Sequence, residues 1–402
     1  MYRFINYTLH SITGFYNPLK KPDSTFFQTL YMMKLFAFFL ILLLAADSKA
    51  QTPVLTSSPR DIAVDSKDNV YVLVKYGMIK ITPDGSLIEL RKIDGNKALD
   101  YTMYNLVIDS KDNLYVGKDN IIKKIRISDD NKATIENYAG DPYKYRIVDG
   151  NRNTAIFTNI DRMTIDKDDN LYVTDSYDKI SDQIGTNYVT DPFYKKDQKL
   201  KYIKNFSLIR KISADGEVST LKNTEGKYVL PNGLAGMTCD PEGNLFYTTG
   251  GIARSVEKIN VTSGAFSHIA GKPYKREWCP VYITGDTSKA ELFDPGYIIV
   301  NKKGEIYYSD NRSHRITKIV AGKVIHVAGN NIIDPCGQNI GGRAQEGNKD
   351  GKALSALFSF PRGIAFDSKG NMYIADDWNN CIRKMSAAGI VSTINTPVFN
   401  YK

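Results

Sequence analysis

The chain has 402 residues, of which 42% are hydrophobic and 24% are charged. This composition favours a globular protein with a sizeable core and excludes a disordered or low-complexity chain. The net charge of +9 comes from lysines scattered along the turns and one cluster at 195–204. Because basic residues do not form a continuous stripe, we expect no nucleic acid partner.

The first predicted element is a signal peptide. Residues 35–46 form an unbroken apolar run that follows Lys34 and precedes a short segment of small and polar residues ending at Ala50. Cleavage is expected after Ala50, so 1–50 is an N-terminal extension plus signal peptide. The apolar run is shorter than the roughly 20 residues that span a bilayer. We therefore expect export to the periplasm or cell surface, with no stable membrane span after cleavage.

The start of the chain fits this interpretation poorly, because a signal peptide should begin near the first residue. Met32 or Met33 would be a natural start, and residues 1–31 would then lie upstream of the translated protein. An uncleaved signal anchor with a short cytosolic tail is the alternative.

From residue 51 onwards one motif repeats: Asp or Asn, three residues, Asn or Glu, any residue, then Tyr or Phe. Its six copies begin at Asp65, Asp109, Asp166, Asp240, Asn301 and Asp367. Each copy lies between two apolar runs, which predicts a tight turn between antiparallel strands, and a second Gly- or Asn-containing turn predicts a second hairpin. Four-stranded repeats of about forty residues are typical of a β-propeller. We predict that 51–402 is a single all-β domain, a six-bladed β-propeller of four-stranded antiparallel blades.

The clearest copy, PRGIAFDSKGNMYIADDWNNCIRKMSAAGIVSTI at 361–394, resembles the NHL-repeat propellers, and weaker copies extend the resemblance across 58–396. The flanking segments resemble those of secreted bacterial members, many of them from the Bacteroidota. The resemblance implies six-bladed closure and, for many members, a binding role. It implies no single chemistry, because this fold hosts scaffolds, lyases and lactonases.

Loop lengths predict where function lies. Blade 3 carries an insertion at about 176–206, and the connections after blades 2, 4 and 5 are extended. All of them emerge on one side, which we call the loop face, while the tight hairpin turns form the opposite turn face. Long loops on a rigid scaffold commonly carry recognition, and aromatic and Arg side chains are typical anchors. The candidate ligand-binding residues are Tyr143, Tyr145, Tyr188, Phe193, Tyr194, Trp278, Arg343 and Trp378.

The three extended connections also share an Asp/Gly pair followed by Ala and then Phe, as in Asp149-Gly150 before Ala155 and Phe157. We interpret the Ala and Phe as packing between blades and the Asp/Gly pair as a turn, rather than as ligand contacts.

Asp175, Asp310 and Asp376 each end the second strand of a blade at the rim of the loop face. Carboxylates there could hold calcium and support a metal-assisted hydrolase or lyase. Turn capping is the structural interpretation of the same residues. The histidines of the exported part, at 268, 314 and 326, are not expected to converge, which argues against a zinc site like that of the family's peptide lyase.

Cys279 and Cys336 lie in extended loops on either side of blade 5, so they are a disulfide candidate in an exported protein. Cys239 is predicted to be a small core residue, and Cys381 is a second candidate for a free thiol. The predicted function is that of an exported, monomeric scaffold that binds a protein, peptide or glycan without a cofactor. The alternatives are the metal-assisted enzyme, with calcium, and a purely structural partner in an envelope assembly.

Overall fold

The computed structural model describes residues 58–75, 77–92, 103, 105–176, 187–190, 207–251, 253–272, 283–330 and 345–394. These ranges all belong to one compact unit, Pro53–Lys402. No helix within them is long and apolar enough to cross a membrane. The predicted signal peptide lies outside the described residues and stays a prediction.

The six repeats form the six blades of a β-propeller, each built on four sequential antiparallel strands, as the sequence predicted. Blade 1 has β1 (Pro59–Val64), β2 (Val70–Val74), β3 (Gly77–Ile81) and β4 (Leu87–Glu89). Blade 2 has β5 (Arg91–Lys92), β6 (Asn105–Ile108), β7 (Leu114–Lys118), β8 (Ile121–Ile127) and β9 (Lys132–Ala139). Blade 3 has β10 (Gly150–Asn151), β11 (Ile160–Ile165), β12 (Leu171–Ser176), β14 (Ser207–Ile212) and β15 (Glu217–Thr220). Its insertion contains β13 (Tyr188–Thr190), which pairs with β16 (Tyr228–Leu230).

Blade 4 has β17 (Leu234–Cys239), β18 (Leu245–Thr249), β19 (Ser255–Ile259) and β20 (Phe266–Gly271). Blade 5 has β21 (Gly285–Asp286), β22 (Pro295–Val300), β23 (Ile306–Asp310), β24 (Arg315–Val320) and β25 (Lys323–Ala328). Blade 6 has β26 (Gly351–Lys352), a single 3-10 turn at Ala353–Ser355, β27 (Pro361–Phe366), β28 (Met372–Asp376), β29 (Cys381–Met385) and β30 (Ile390–Ile394).

Four blades have a fifth strand that the sequence did not predict. In blades 3, 5 and 6 the segment with the Asp/Gly pair adds β10, β21 and β26 to the outermost strand of the blade, in antiparallel pairing. In blade 2, β5 pairs in parallel with β9. These short strands cover strand edges that would otherwise be exposed. The chain also turns beside the Asp/Gly pairs, since in blades 3 and 5 the Asn151 and Asp286 carbonyls accept the Thr154 and Lys289 backbone N–H groups.

The repeated motif satisfies its own polar groups at the turn face. In blade 1, the Asp65 carboxylate accepts hydrogen bonds from the Lys67 and Asn69 backbone N–H groups, the Asn69 side chain and the Tyr71 hydroxyl. Asp68 has a φ of 61°, a left-handed conformation that Asp tolerates. The same arrangement recurs at Asp367 in blade 6. The motif is therefore a turn device and belongs to the scaffold.

The core lies between neighbouring blades. Phe157 is fully buried and packs in one cluster with side chains of blades 2 and 3, among them Ile122 and Val173. Ala155 is 1% exposed in the same cluster. The predicted packing role of the Ala and Phe positions is confirmed.

The ring closes between blade 6 and blade 1. Ile62 and Val72 of blade 1 share a cluster with Ala365 and Tyr373 of blade 6. The first main strand of each blade lies at the inner end of its sheet, so the six inner strands β1, β6, β11, β17, β22 and β27 keep one free edge each. These edges surround the central channel. Each inner strand runs from the loop face to the turn face, so its first residues lie at the channel mouth on the loop face.

Candidate functional site

Several predicted loop-face residues lie outside the described part of the chain. These are Phe193, Tyr194, Trp278 and Arg343, together with the proposed disulfide partners Cys279 and Cys336. Tyr188 is the first residue of β13. The ligand-binding and disulfide predictions for these residues stay predictions.

Tyr143 and Tyr145 lie in the connection between β9 and β10 on the loop face, where their side chains are 89% and 56% exposed. The Asn120 side chain donates hydrogen bonds to the backbone carbonyls of Asp141 and Lys144 and so ties this connection to blade 2. Among the described residues no ring contact joins the two tyrosines to Trp378. They are available to a ligand but do not form one cluster with the tryptophan.

Trp378 forms an aromatic platform with Phe360. Its indole stacks on the Phe360 ring with centroids 4.7 Å apart and 10° between the planes, and it remains 54% exposed. Its backbone N–H donates to the Ser359 carbonyl at 3.0 Å. The Arg362 guanidinium lies 4.9 Å from the Phe360 ring centroid. Aromatic and arginine side chains therefore adjoin one another from the exposed loop to the first residues of β27.

Phe360 holds this platform at a cost in backbone strain. Its φ is 57°, which is unusual for a bulky L-residue, and the equivalent position in blade 4 is Gly233 with a φ of 64°. The Phe360 backbone N–H donates to His314 Nδ1 at 3.0 Å. Strained conformations of this kind cost about 1–3 kcal/mol, and they concentrate at functional sites. A glycine would avoid the strain, but it would remove the ring beneath Trp378.

The rim aspartates Asp175 and Asp376 are fully buried in matching networks. The Asp175 carboxylate accepts the Thr158 and Asn159 backbone N–H groups and pairs with Arg210 at 2.8 Å. Arg210 also pairs at 2.9 Å with Asp149, which lies just before β10.

In blade 6, Arg383 joins Asp376 at 2.9 Å and Asp350 at 2.7 Å. In both blades the buried arginine therefore fastens the fifth-strand segment to the blade.

Blade 5 lacks this arginine, because Thr317 occupies the equivalent position and Thr284 replaces the outer aspartate. The Asp310 carboxylate accepts the Phe293 and Asp294 backbone N–H groups. Burial raises the pKa of Asp310 to about 6.

The three rim aspartates thus serve backbone groups of their own blades. Within the described ranges, no three His, Cys, Asp or Glu side chains are grouped to hold a metal ion. The calcium prediction gains no support from this geometry.

A second cluster, at the channel mouth, was missed by the sequence analysis. The residue four positions before each repeated turn begins the channel wall, and these six equivalent positions are Asp61, Asn105, Arg162, Gly236, Tyr297 and Gly363. Three of them carry a charged or phenolic group and two have no side chain. An alignment of the six repeats would have identified these residues, because this position differs from repeat to repeat while its neighbours are similar.

Arg162 reaches across the neighbouring blade. Its guanidinium lies 5.7 Å from the Tyr297 ring centroid, although Arg162 belongs to blade 3 and Tyr297 to blade 5. The blade between them contributes Gly236, where a Cβ would come within 2.3 Å of the Gly296 carbonyl oxygen. Arg162 Nε donates to the Ala235 carbonyl, and Nη1 donates to the Asp161 carbonyl at 2.8 Å.

Asp61 lies on the opposite side of this cluster. Its two carboxylate oxygens accept the Ile62 and Leu106 backbone N–H groups, each at 2.9 Å. Burial raises the pKa of Asp61 to about 7, although these hydrogen bonds and Arg162 oppose the shift. Burial and the nearby Asp61 also raise the pKa of Tyr297. The mouth therefore holds a carboxyl group that titrates near neutral pH.

Blades 1 and 6 add two more arginines beside the mouth. Arg362 Nε donates to the buried Asp377 carboxylate, and Arg60 lies 3.8 Å from the same group. Arg362 also interacts with Tyr297. The aromatic platform and the channel mouth therefore meet at Arg362 and form one continuous site on the loop face.

The described cysteines and histidines lie in separate places. Cys239 and Cys381 are free thiols, and burial raises the pKa of both. His268 pairs with Glu257 at 2.8 Å, and His326 Nε2 lies 3.0 Å from the Ala328 carbonyl.

Comparison with known proteins identifies the repeat. A family model described as the Teneurin NHL domain matches residues 296–397, which are blades 5 and 6. The chicken NHL repeat-containing protein 2 is 35% identical over 107 residues, which cover 26% of this chain and 13% of that protein. Protein SUPPRESSOR OF QUENCHING 1 of Arabidopsis thaliana is 28% identical over 154 residues, 37% of this chain and 13% of the relative. The chain therefore matches about an eighth of each of these longer proteins.

A solved structure extends the likeness to the whole propeller. The auxiliary nutrient binding protein from Bacteroides ovatus superposes with a TM-score of 0.54 at 14% identity, covering 85% of this chain and 70% of that one. At this identity the likeness shows the fold alone.

Proposed function

The chain is a six-bladed NHL-repeat β-propeller, and from this premise we propose that it is an exported, monomeric scaffold that binds a protein, peptide or glycan on its loop face. The observation that carries the proposal is the exposed Trp378 stacked on a strained Phe360. Aromatic platforms of this kind bind sugar rings and apolar side chains, because a flat ring gives contact area at little entropic cost.

Hydrogen bonds within the protein hold the backbone of both platform residues. Phe360 is fixed from one side by its backbone hydrogen bond to His314, and Trp378 is fixed through Ser359. Groups that are held before binding cost a ligand little affinity through their immobilisation, and we propose that these hydrogen bonds have this effect. The adjoining Arg362 provides a charged group at the inner end of the platform.

The experiment is a binding screen of the full chain against an oligosaccharide array and a library of short peptides, repeated with Phe360→Gly and Trp378→Ala. Phe360→Gly removes the ring and also relieves the left-handed strain, so the unfolding free energy should change by no more than about 1 kcal/mol. Both variants should lose about tenfold or more in affinity for any hit.

The matched control is Ile390→Ala, an outer-strand residue that is 47% exposed. It should bind every hit as the wild type does. Hits that bind Phe360→Gly and Trp378→Ala with unchanged affinity would contradict the proposed site.

Export is part of the proposal and rests on the apolar run at 35–46. Sequencing the N-terminus of the protein recovered from the native envelope should give Gln51 as the first residue. An intact N-terminus in the membrane fraction would instead indicate the signal anchor.

The metal-assisted enzyme finds less support. Its three aspartates accept backbone hydrogen bonds, and two of them also pair with buried arginines. A metal ion would have to displace those partners before it could bind.

A further inference from the structure

The central channel contains a cavity of about 240 Å³ lined by residues of all six inner strands. This volume is below the ~300–1,000 Å³ of pockets that enclose drug-sized ligands. It therefore fits a small molecule, or the end of a larger ligand held on the platform. Because every inner strand has a free edge, the wall offers unpaired backbone donors and acceptors. A ligand group that carries hydroxyls or amides can hydrogen-bond to such a wall.

Arg162 is the charged residue of this cavity that lacks a carboxylate partner. Among the described residues no Asp or Glu lies within ion-pair distance of its guanidinium. Its Nε and Nη1 donate to backbone carbonyls, and Nη2 has no hydrogen-bond partner in the described part of the chain. A partly buried guanidinium without a carboxylate partner favours an anion, because two backbone hydrogen bonds and one aromatic ring compensate its desolvation only in part.

The acidic groups near Arg162 do not neutralise it, so its preference for an anion remains. Asp61 takes both of its hydrogen bonds from backbone N–H groups, and burial keeps it protonated up to about pH 7. The Asp161 carboxylate accepts the Ser176 hydroxyl at 2.8 Å instead of Arg162. Asp377 is occupied by Arg362, with Arg60 close by. Tyr297 presents a neutral phenol, because its pKa is raised.

We propose that this cavity binds a carboxylate group, held by Arg162, at the end of a hydroxyl- or amide-bearing ligand. The proposal rests on the proposed function, since it names the chemistry of the inner part of the same site. Nη2 and the second N–H of Nη1 can donate to a carboxylate, since Nε and the first N–H of Nη1 already donate to backbone carbonyls. The free strand edges can hydrogen-bond to the rest of the ligand group. A uronic acid and a peptide C-terminus both present this chemistry.

Two matched pairs of probes test the proposal and separate these sources. Glucuronate is compared with glucose, and acetyl-diglycine with its C-terminal amide, by calorimetry on the full chain at about pH 6. We expect the charged member of at least one pair to bind about tenfold more tightly than its neutral partner. The pair that shows the preference identifies the source. Binding of charged and neutral probes within about twofold of each other, or no binding of any probe up to about 20 mM, overturns the proposal.

The variants are Arg162→Met, Arg162→Lys and Arg312→Met. The first removes the charge and keeps an unbranched side chain, so it should abolish the preference for the charged probe. Arg162→Lys should retain part of it. Arg312 is a 61% exposed arginine of blade 5 outside the cavity lining, and its replacement should leave the preference intact. An unchanged preference in Arg162→Met overturns the proposal, provided its circular dichroism spectrum and melting temperature match those of the wild type.

The pH gives a further readout. As Asp61 ionises between about pH 6 and pH 8, its carboxylate competes for Arg162, and affinity for the charged probe should fall about tenfold or more. Affinity that rises or stays constant across this range contradicts the arrangement.

The two proposals can fail separately. If a ligand from the array or library depends on Trp378 while the charged probes bind no better than the neutral ones, the proposed function stands and only the carboxylate inference is overturned.

Discussion

The two ends of the same strands are built differently. At the turn face the blades repeat one polar turn, and in blades 1 and 6 its Asp, Asp65 or Asp367, accepts hydrogen bonds from its own turn and from a nearby Tyr. At the loop face the equivalent positions carry different residues, as Asp61, Arg162 and Tyr297 show. Repetition therefore marks groups that satisfy one another. Where the positions vary, one guanidinium, that of Arg162, has no ion-pair partner among the described residues.

The largest loss of stability is expected from the buried Arg383–Asp376 ion pair of blade 6. Arg383→Thr should lower the free energy of unfolding by about 3–5 kcal/mol, because it leaves the buried Asp376 without its charge partner. Urea unfolding of the variant and the wild type measures this difference. A loss below about 1 kcal/mol would show that the buried ion pair contributes little.

Blade 5 has Thr317 and Thr284 at the two equivalent positions, while its Asp310 lies opposite Arg315 where blade 6 has Cys381. The double variant Arg383→Thr with Asp350→Thr gives blade 6 the same pair. Its loss of stability should be smaller than the sum of the losses in the two single variants, because both single changes break the same Arg383–Asp350 pair. Additive losses in the two single variants would contradict this coupling.

At the turn face, Asp367→Ala removes the acceptor for two backbone N–H groups, the Asn371 amide and the Tyr373 hydroxyl. The free energy of unfolding should fall by about 2–3 kcal/mol, since these donors lose their partner in a largely buried turn. Chemical denaturation measures the loss. Binding of any loop-face ligand should stay unchanged, and a change in its affinity would argue against the separation of the two faces.

The pH dependence of stability reports on the channel mouth. The folded-state pKa of Asp61 is about 7, and its ordinary value is 3.8. Below about pH 4 both folded and unfolded states are protonated, whereas between about pH 4 and pH 7 only the unfolded state loses its proton. This contribution to stability is therefore present at low pH and declines as the pH rises, by roughly 1 kcal/mol per pH unit.

Asp61→Asn should flatten this slope in urea unfolding between about pH 5 and pH 7, a change of roughly 2 kcal/mol over the window. The control is Asp84→Asn, an exposed turn residue whose pKa is lowered by hydrogen bonds from Thr82 and Ser86. It should not alter the slope in this range. A slope that survives in Asp61→Asn would assign the titration to another group.

The smallest loss of stability is expected from the hydrogen bonds that join neighbouring blades at the turn face. Ser368 of blade 6 donates its backbone N–H and its hydroxyl to Asp68 of blade 1, each at 2.7 Å. Ser110 contacts Asp169 in the same way. Because these bonds are exposed, Ser368→Ala should cost about 1 kcal/mol or less. A shift of the melting temperature by more than about 5 °C would show that this contact is needed to close the ring.

Much of the architecture could be predicted from the sequence. Six copies of the turn motif predicted six blades, because the Asp, Asn and Tyr interact within a few residues of one another. The burial of Ala155 and Phe157 was predicted for the same reason, since it follows from fixed offsets in a repeat. The fifth strands were missed, because pairing of β10 with β15 joins segments about seventy residues apart and leaves no local pattern.

The candidate site could be predicted only in part. Trp378 was singled out as an unrepeated loop aromatic, but the ring beneath it, Phe360, was not, because its importance lies in a backbone φ of 57°. Arg162 and Tyr297 are 135 residues apart and belong to blades that are not neighbours in sequence. Gly236 of blade 4 lies between them, and a side chain there would collide with the Gly296 backbone. This close approach of blades 4 and 5 exists only in the closed ring.

The sequence alone thus determined the repeating unit, its number and the separation of long loops from tight turns, because each is set by interactions between residues close together in the chain. Only the tertiary structure decided which residues face the channel and which charges are already paired there. It also decided which arginine remains available to a ligand. These properties depend on ring closure, which brings six distant positions to one mouth and removes water from around Asp61.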